Sequence, residues 1–468
     1  MSKHQPLSGL DAAFLYLEGL GTPMHVGSLM LLEAGQRKGG DFHQQLRDHV
    51  ADRLAAAAPL RRVLEDAPLG LSHPIWRGDA ELDLDWHIQH RRLRAPGSMK
   101  ALMKLTGRLH AEPMDRDRPL WQLVVIDGLA DGRVALYSRI HHALLDGQGG
   151  VALARALLDT EPDPETPGHR PPPAPASHPS GKARLAVRAA GSTVSAWGRW
   201  MRGLPDTVKL AASGVGSPIR TVAGLRDSLL FAPKTRFNVQ IGDQRAFGVT
   251  SLALKRIKGV AQGYGVSLND VVMALCTGAL RSALKQHGEL PDRPLIAGMP
   301  ISLRAQGNGE ANNQVSMVQC ELPTDEADPI ERLKRIHAST GRIKARVQTF
   351  SHLIPTDFPG LAAPFWATGL SRLWKAGRLS ERLPALANLV ISNVPGPPVP
   401  LFLAGRRISH YYPISIVTHG LGLNITVQSY AGSLEVGILA CPEVLPEPAR
   451  LARRIDQALD ELEGGITT

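Results

Sequence analysis

The chemistry-bearing residues of this chain concentrate in one run, His141-His142-Ala143-Leu144-Leu145-Asp146-Gly147-Gln148-Gly149-Gly150. Imidazole is the side chain that titrates nearest neutrality, so a histidine held at a turn can serve as a proton acceptor. The run follows a strand-like segment, Arg133–Ile140. Alternation along a strand puts Val134, Leu136, Ser138, Ile140 and His142 on one face, and Tyr137, Arg139 and His141 on the other. The first set is mostly apolar. It predicts His142 at the end of a buried face, neutral near pH 7 and suited to act as a general base. Asp146 stands four residues further on, where it can hold the turn or orient His142. An ionised aspartate there needs a partner, and Arg304 is the candidate. No Ser-His-Asp triad is assumed.

Other chemistries fit the same run less well. Adjacent histidines on a strand point to opposite faces, so His141 and His142 can hardly share a metal ion, and no metal is expected. A histidine at a strand end is also often structural. Gly147, Gly149 and Ala152 imitate a dinucleotide fingerprint, but an HHALLD insert separates them from the strand and no acidic strand end follows at the right distance. There is no GxSxG elbow, no Walker A motif and no HExxH. Without a nucleophile elbow, direct attack by a bound acceptor is simpler than a covalent acyl-enzyme.

The elements that must carry this site can be read from local signals. Ser8 and Asp11 form a capping pattern ahead of a helix through Leu17, and Met24–Leu32 is strand-like. Helical patterns follow near 42–57 and 99–111. Trp121–Ile126 and Arg133–His142 read as two strands joined by a loop carrying Asp127-Gly128 and Asp131-Gly132. Gln148–Leu158 reads as a short helix. Eight prolines fall between Pro162 and Pro179, a composition that packs no core. Beyond it, Ser267 and Asp270 form a second capping box before an apolar stripe of Val271, Val272, Leu275, Ala279 and Leu280. Strands are expected at Leu295–Ile301, Val315–Leu322 and Leu423–Ser429, and a last helix at Ala449–Leu462. Strands and helices alternate in both halves, so the fold class is α/β or α+β.

The bulk composition agrees. The chain has 468 residues, enough for two domains of about 200 each. The expected division is a first domain at 1–160, a Pro-rich linker and crossover helix at 161–230, and a second domain at 231–468. The net charge of +10 favours anionic partners. Basic residues are nevertheless spread along the chain without a reader motif, so no nucleic acid partner is expected. Cys276, Cys320 and Cys441 are far apart and odd in number, which suggests neither a disulfide framework nor a zinc site and fits a reducing cytoplasm. The N-terminus shows no signal core and no run of about 18 apolar residues occurs, so a membrane-spanning helix is not expected.

Several blocks then converge. In order they are PLSGLDAAFLYLE (Pro6–Glu18), PMHVGSL (Pro23–Leu29), RPLW (Arg118–Trp121), HHALLDG (His141–Gly147), SLNDVVMALCTGALR (Ser267–Arg281), ISNVPGP (Ile391–Pro397) and YPISIVTHGLGLNITVQSY (Tyr412–Tyr430). In these the chain resembles the bacterial wax ester synthase/diacylglycerol acyltransferase family, over nearly its whole length. The resemblance implies two chloramphenicol acetyltransferase-like domains, each a mixed β-sheet flanked by helices, with the active-site tunnel between them. It implies acyl transfer from acyl-CoA to a fatty alcohol or to diacylglycerol, with no cofactor beyond acyl-CoA as substrate; the alternatives are a related acyltransferase with another acceptor or a carrier-bound donor, and a catalytically silent lipid-binding homologue. The chain lacks the DFGWG-type motif of other members of the wider superfamily, which leaves the second domain's contribution to the site less defined.

Carried over by position, His142 is the base, with His141, Asp146 and Gly147 in support. Asn269 and Asp270 match the family's ND pair, although a capping box accounts for much of Asp270. Asn269 at a helix N-terminus can help hold an oxyanion or the acceptor. Asn393 reads as structural. His419 and Asn424 match the family's THG…LNI run, as tunnel lining or as satisfied core. The implied location is cytoplasmic, peripheral to the inner membrane or to lipid inclusions, with oligomeric state unassigned. Two stripes suit a helix lying on an anionic membrane as well as they suit interior packing: Val194, Trp197, Trp200, Met201 and Leu204 with Arg199 and Arg202, and Phe365, Trp366, Leu370, Leu373 and Trp374 with Arg372 and Lys375.

Overall fold

In the computed structural model, residues 4–7, 9–19, 21–34, 41–54, 57–66, 73–78, 81–144, 148–163, 230–302, 315–350 and 384–466 are described. Asp146, Gly147 and Arg304 lie outside them, as do both aromatic and basic stripes. In chain order the elements are β1 (His4–Pro6), α1 (Gly9–Leu17), β2 (His25–Leu32), α2 (Phe42–Leu54), β3 (Val63–Glu65), β4 (Ile75–Arg77), α3 (Leu84–His87), β5 (Ile88–Arg92), α4 (Met99–Ala111), β6 (Trp121–Asp127), β7 (Val134–His141), α5 (Gln148–Leu157) and β8 (Leu158–Asp159). The second half supplies β9 (Ala246–Ala253), α6 (Leu254–Tyr264), α7 (Leu268–Gln286), β10 (Leu295–Ser302), β11 (Val315–Leu322), α8 (Pro329–Phe350), β12 (Leu389–Val394), β13 (Phe402–Leu403), β14 (Arg406–Ile414), β15 (Leu423–Tyr430), β16 (Ser433–Ala440) and α9 (Pro448–Gly464).

The first large sheet has seven strands in the order β5-β6-β7-β2-β14-β13-β8. The expected hairpin is present, with β6 antiparallel to β7 and Trp121 opposite Ile140. Gly128 and Gly132 take the left-handed backbone the connection requires. One face of this sheet, with Leu136 and Ile140, packs into a core shared with Ala12 and Leu15 of α1 and Leu46 and Val50 of α2. The other face, with Ala135 and Tyr137, joins a larger core that includes Leu102 and Leu109 of α4 and the second sheet. Burying one such aliphatic side chain contributes about 1.5–3 kcal/mol, so the two-sided burial of β7 makes it a rigid support.

The second large sheet has six strands in the order β11-β10-β12-β15-β16-β9. Its centre is parallel, β10 to β12 to β15. Helices α6, α7, α8 and α9 pack together against it. The Ser267 box is present in full: Asp270 N donates to Ser267 Oγ at 3.2 Å, and Ser267 N donates to the Asp270 carboxylate at 2.9 Å. A small sheet, β1-β4-β3, completes the fold.

One expectation needs correction. The division at 231 assigned everything after the linker to the second domain. Instead β14 pairs antiparallel with β2, Tyr412 opposite Leu29, and β13 pairs with both β14 and β8. Phe402–Ile414 therefore belongs to the first sheet. The physical reason is edge completion: β2 has β7 on one side only, and β14 satisfies the hydrogen-bonding groups on its other side. This return strand also packs on the second sheet. A Cβ on Gly437 of β16 would stand 1.8 Å from the Pro413 carbonyl oxygen, so the backbones of the two sheets touch where only glycine fits.

Candidate active site

His142 does not lie in the strand that leads to it. β7 ends at His141, whose N–H donates to Leu120 O at 2.9 Å, and His142 opens a 3-10 turn through Leu144. The His142 N–H donates to the carbonyl of Met24 at 2.8 Å, tying the turn to the start of β2. Phe14 of α1 lies flat on the imidazole, with centroids 3.8 Å apart and an interplanar angle of 16°. Nδ1 is buried and has no hydrogen-bond partner among the described residues. Burial, and then the neighbouring His141, push the ring's pKa down to about 4, while its own backbone pulls the other way. The imidazole is therefore neutral across the physiological range and able to take up a proton.

His141 points to the opposite face, as strand alternation requires, and is fully buried. Its Nδ1 accepts the Ala143 N–H at 3.1 Å. An accepting Nδ1 leaves the proton on Nε2, which faces Glu18 Oε1 at 3.4 Å, an ion-pair separation rather than a well-formed hydrogen bond. Glu18 Oε1 also accepts the Met24 N–H at 3.1 Å. Its Oε2 accepts Arg116 Nε at 3.0 Å and Nη2 at 2.7 Å. Burial would raise this carboxyl, but His141, Arg116 and the Met24 amide outweigh it and hold the pKa down at about 2.

The floor on that face is a fixed polar layer. His25, opposite His141 in the β2–β7 ladder, donates Nε2–H to His110 O at 3.0 Å. His110 Nε2 bonds Ser415 O at 2.9 Å, so its Nδ1 accepts from Tyr137 Oη at 2.8 Å. Burial lowers both imidazoles, His110 to about 3. Arg139 donates to the carbonyls of Leu109 and Glu112 at 2.7 and 2.6 Å and to Gln122 Oε1. Each tautomer here is dictated by a carbonyl, and carbonyls accept only.

The second half reaches the same loop through its backbone. Arg245, nearly fully buried, donates to Gly242 O at 2.9 Å, to Gln244 O at 2.7 Å and to Gly21 O. Gly21 lies in the 19–24 loop that ends at Met24. One residue before Gly242, the Ile241 N–H donates to His419 Nδ1 at 3.2 Å. His419 is thus joined to the His142 loop through neighbouring backbone.

The remaining sequence candidates find their partners inside the protein. Asp270 is fully buried, accepting from Ser267 N, from His337 Nδ1 at 2.8 Å and from Thr340 Oγ1 at 2.6 Å. It pins α7 to α8. Asn424 donates to Ile416 O at 3.1 Å and accepts from Thr426 Oγ1 at 2.8 Å. Asn269 accepts from Asn393 Nδ2 at 3.1 Å, joining α7 to β12. The sequence reading missed Glu18, Phe14, Met24 and Arg245. Glu18 had a signal, being an acidic residue that closes an apolar helix just before Gly19.

Among the described residues no group of three or more His, Cys, Asp or Glu is placed to hold a metal ion. No described helix is long and apolar enough to cross a membrane.

Known proteins match this chain from end to end. Residues 7–272 match the family described as the wax ester synthase/diacylglycerol acyltransferase catalytic domain, and residues 311–463 match its C-terminal domain. A Mycobacterium tuberculosis protein named "Probable diacyglycerol O-acyltransferase tgs2" is 36% identical over 472 residues, spanning 97% of this chain and 98% of its own. The solved wax ester synthase/diacylglycerol acyltransferase from Marinobacter aquaeolei VT8 superposes with a TM-score of 0.69 at 31% identity, covering 99% of this chain and 100% of its own. The first condensation domain of the calcium-dependent antibiotic synthetase shares the fold, with a TM-score of 0.52 at 14% identity, covering 98% of this chain and 97% of its own.

Proposed function

The chain belongs to the wax ester synthase/diacylglycerol acyltransferase family, and from that premise we propose that it transfers a long-chain acyl group from acyl-CoA to a fatty alcohol, to diacylglycerol, or to both. The observation that carries the reading is the neutral, partly buried imidazole of His142, stacked on Phe14, in a residue whose backbone N–H is held by the Met24 carbonyl. The relatives named above carry diacylglycerol acyltransferase and wax ester synthase names, which support the same reaction.

The reaction balances with one base. Nδ1 of His142 is closed off from solvent, so the substrate hydroxyl meets Nε2 and the resting proton stays on Nδ1, beside the residue's own backbone. Nε2 takes the proton of the acceptor hydroxyl as its oxygen attacks the thioester carbonyl. The tetrahedral intermediate collapses, the C–S bond breaks and an ester C–O bond remains. The imidazolium returns its proton to the departing CoA thiolate. This sequence draws on no redox cofactor or metal. A base pushed down to about 4 is weak in equilibrium terms, but burial that excludes water also favours transfer between bound groups.

An acceptor insoluble in water and a net charge of +10 favour a working position at an anionic membrane or lipid-inclusion surface, peripheral and on the cytoplasmic side. A thiol-release assay with palmitoyl-CoA, alone or with hexadecanol or dipalmitoylglycerol, tests the reading. Acceptor-dependent CoA release is expected; none with either acceptor, from folded protein, would overturn it.

A further inference from the structure

We propose that Glu18 is a positioning residue for the acyl transfer, setting the backbone of the His142 turn through His141 and Met24; the proposal rests on the acyltransferase reading and adds a residue to it. Glu18 follows α1, on the far side of the chain from the HHxxxDG run in sequence, and its carboxylate is nearly fully buried. One oxygen serves the site directly. Glu18 Oε1 holds the Met24 N–H at 3.1 Å, and the Met24 carbonyl holds the His142 N–H at 2.8 Å. The same oxygen faces His141 Nε2 at 3.4 Å, while His141 Nδ1 holds the Ala143 N–H at 3.1 Å.

The two arms therefore end on consecutive amides, those of His142 and Ala143. A single carboxylate governs both, and Arg116 fixes that carboxylate from its other oxygen. Glu18 touches no reacting atom. Its work is to keep His141 in the tautomer that accepts from Ala143 and to keep the Met24 peptide aligned with the turn. α1 also carries Phe14, which stacks on the His142 ring, so one helix and its last carboxylate locate both the ring and the backbone of the base.

Without the carboxylate the imidazole of His141 is free to turn over. Ala143 N–H then loses its acceptor, and the 3-10 turn that aims His142 loosens. A base displaced by about 1 Å costs on the order of 100-fold in rate. Because Glu18 is proposed to act on the turn that aims the base and not on a bound substrate, the loss should fall on kcat and not on KM.

The test is steady-state CoA release by the full chain with palmitoyl-CoA and whichever acceptor the wild type uses. Glu18→Ala should lower kcat about 100-fold with the acyl-CoA KM within about twofold. Glu18→Gln keeps an oxygen for Met24 N–H, so it should recover about tenfold of that loss. In the His141→Ala background, Glu18→Ala should cost less than it does in the wild type, since the arm through His141 is already gone and only the Met24 arm is left to lose. Wild-type release with Glu18→Ala kcat within about twofold would overturn the proposal. So would a loss carried by KM, or failure of both Glu18→Ala and Glu18→Gln to fold, which would make Glu18 a stability residue. Absence of release by the wild type would instead strike the acyltransferase reading, so the two failures are distinguishable.

Discussion

Phe14 lies against the imidazole of His142 with ring centroids 3.8 Å apart and 16° between their planes. Stacking of this kind removes one face of the ring from water. Since burial is the leading cause of the depressed His142 pKa, the aromatic ring is part of what keeps the imidazole neutral. Phe14→Ala should admit water and raise that pKa from about 4 toward the ordinary histidine value of about 6.5. The base is then protonated at higher pH, so the acidic limb of kcat/KM should move upward, with activity at pH 6 falling more than activity at pH 8. A pH profile of both proteins reads this; a limb that stays in place would show that Phe14 does not desolvate the ring.

The buried histidines set a stability window. His87 and His142 are lowered to about 4 and His110 to about 3, each mainly by burial. For a group depressed on folding, the unfolded chain takes up protons first. Stability is therefore full above about pH 6.5 and declines as pH falls towards the folded-state values. Glu18, held at about 2, adds a further loss below about pH 4.5 in the same direction. Between pH 7 and pH 5 each of these histidines should cost about 2 kcal/mol. Urea unfolding at the two pH values measures the difference, and His110→Gln should make it smaller. Equal stability at pH 7 and pH 5 would contradict the buried neutral assignment.

Asp270 should matter for stability before chemistry. Asp270→Ala removes the capping box and leaves the Thr340 hydroxyl, the His337 imidazole and the Ser267 amide without their shared acceptor. The expected loss is about 2–4 kcal/mol. Denaturant melts should register it, with kcat per folded molecule changed by only a few fold. A stable variant with collapsed kcat would place Asp270 in the chemistry instead.

Much of this architecture could be read locally. The β6–β7 hairpin was signalled by Asp127-Gly128 and Asp131-Gly132, and α7 by the Ser267–Asp270 box, because turn and cap chemistry act within a few residues. The pairing of β14 with β2 could not be read that way. Leu29 and Tyr412 belong to distant parts of the chain, and of the two strands only Met24–Leu32 reads as a strand in the sequence. The same holds for Glu18 and His141: a buried carboxylate closing α1 does not reveal locally which imidazole it will face. His142 was expected to continue the apolar face of Leu136 and Ile140; the 3-10 turn that begins at it arises from the Met24 carbonyl, a tertiary contact. Asp146 is expected to hold the turn or orient His142, with Gly147 in support and Arg304 as the partner of Asp146, and these three stand outside the described residues.

Gly437 tests how tightly the sheets are joined. A methyl group there would meet the Pro413 carbonyl at 1.8 Å, backbone that cannot turn aside. Gly437→Ala should destabilise the protein by about 3 kcal/mol or more, and limited proteolysis should show faster cleavage. Wild-type resistance would mean that β14 and β16 can separate at little cost.

The most direct test of the account is His142→Ala, assayed for ester product and CoA release beside the wild type with palmitoyl-CoA and each acceptor. With His142 as the base, both products should fall by about 100-fold or more while the variant keeps its fold and its acyl-CoA binding. Ester formation within a few fold of wild type, in protein lacking this imidazole, would contradict His142 as the base and with it the proposed mechanism.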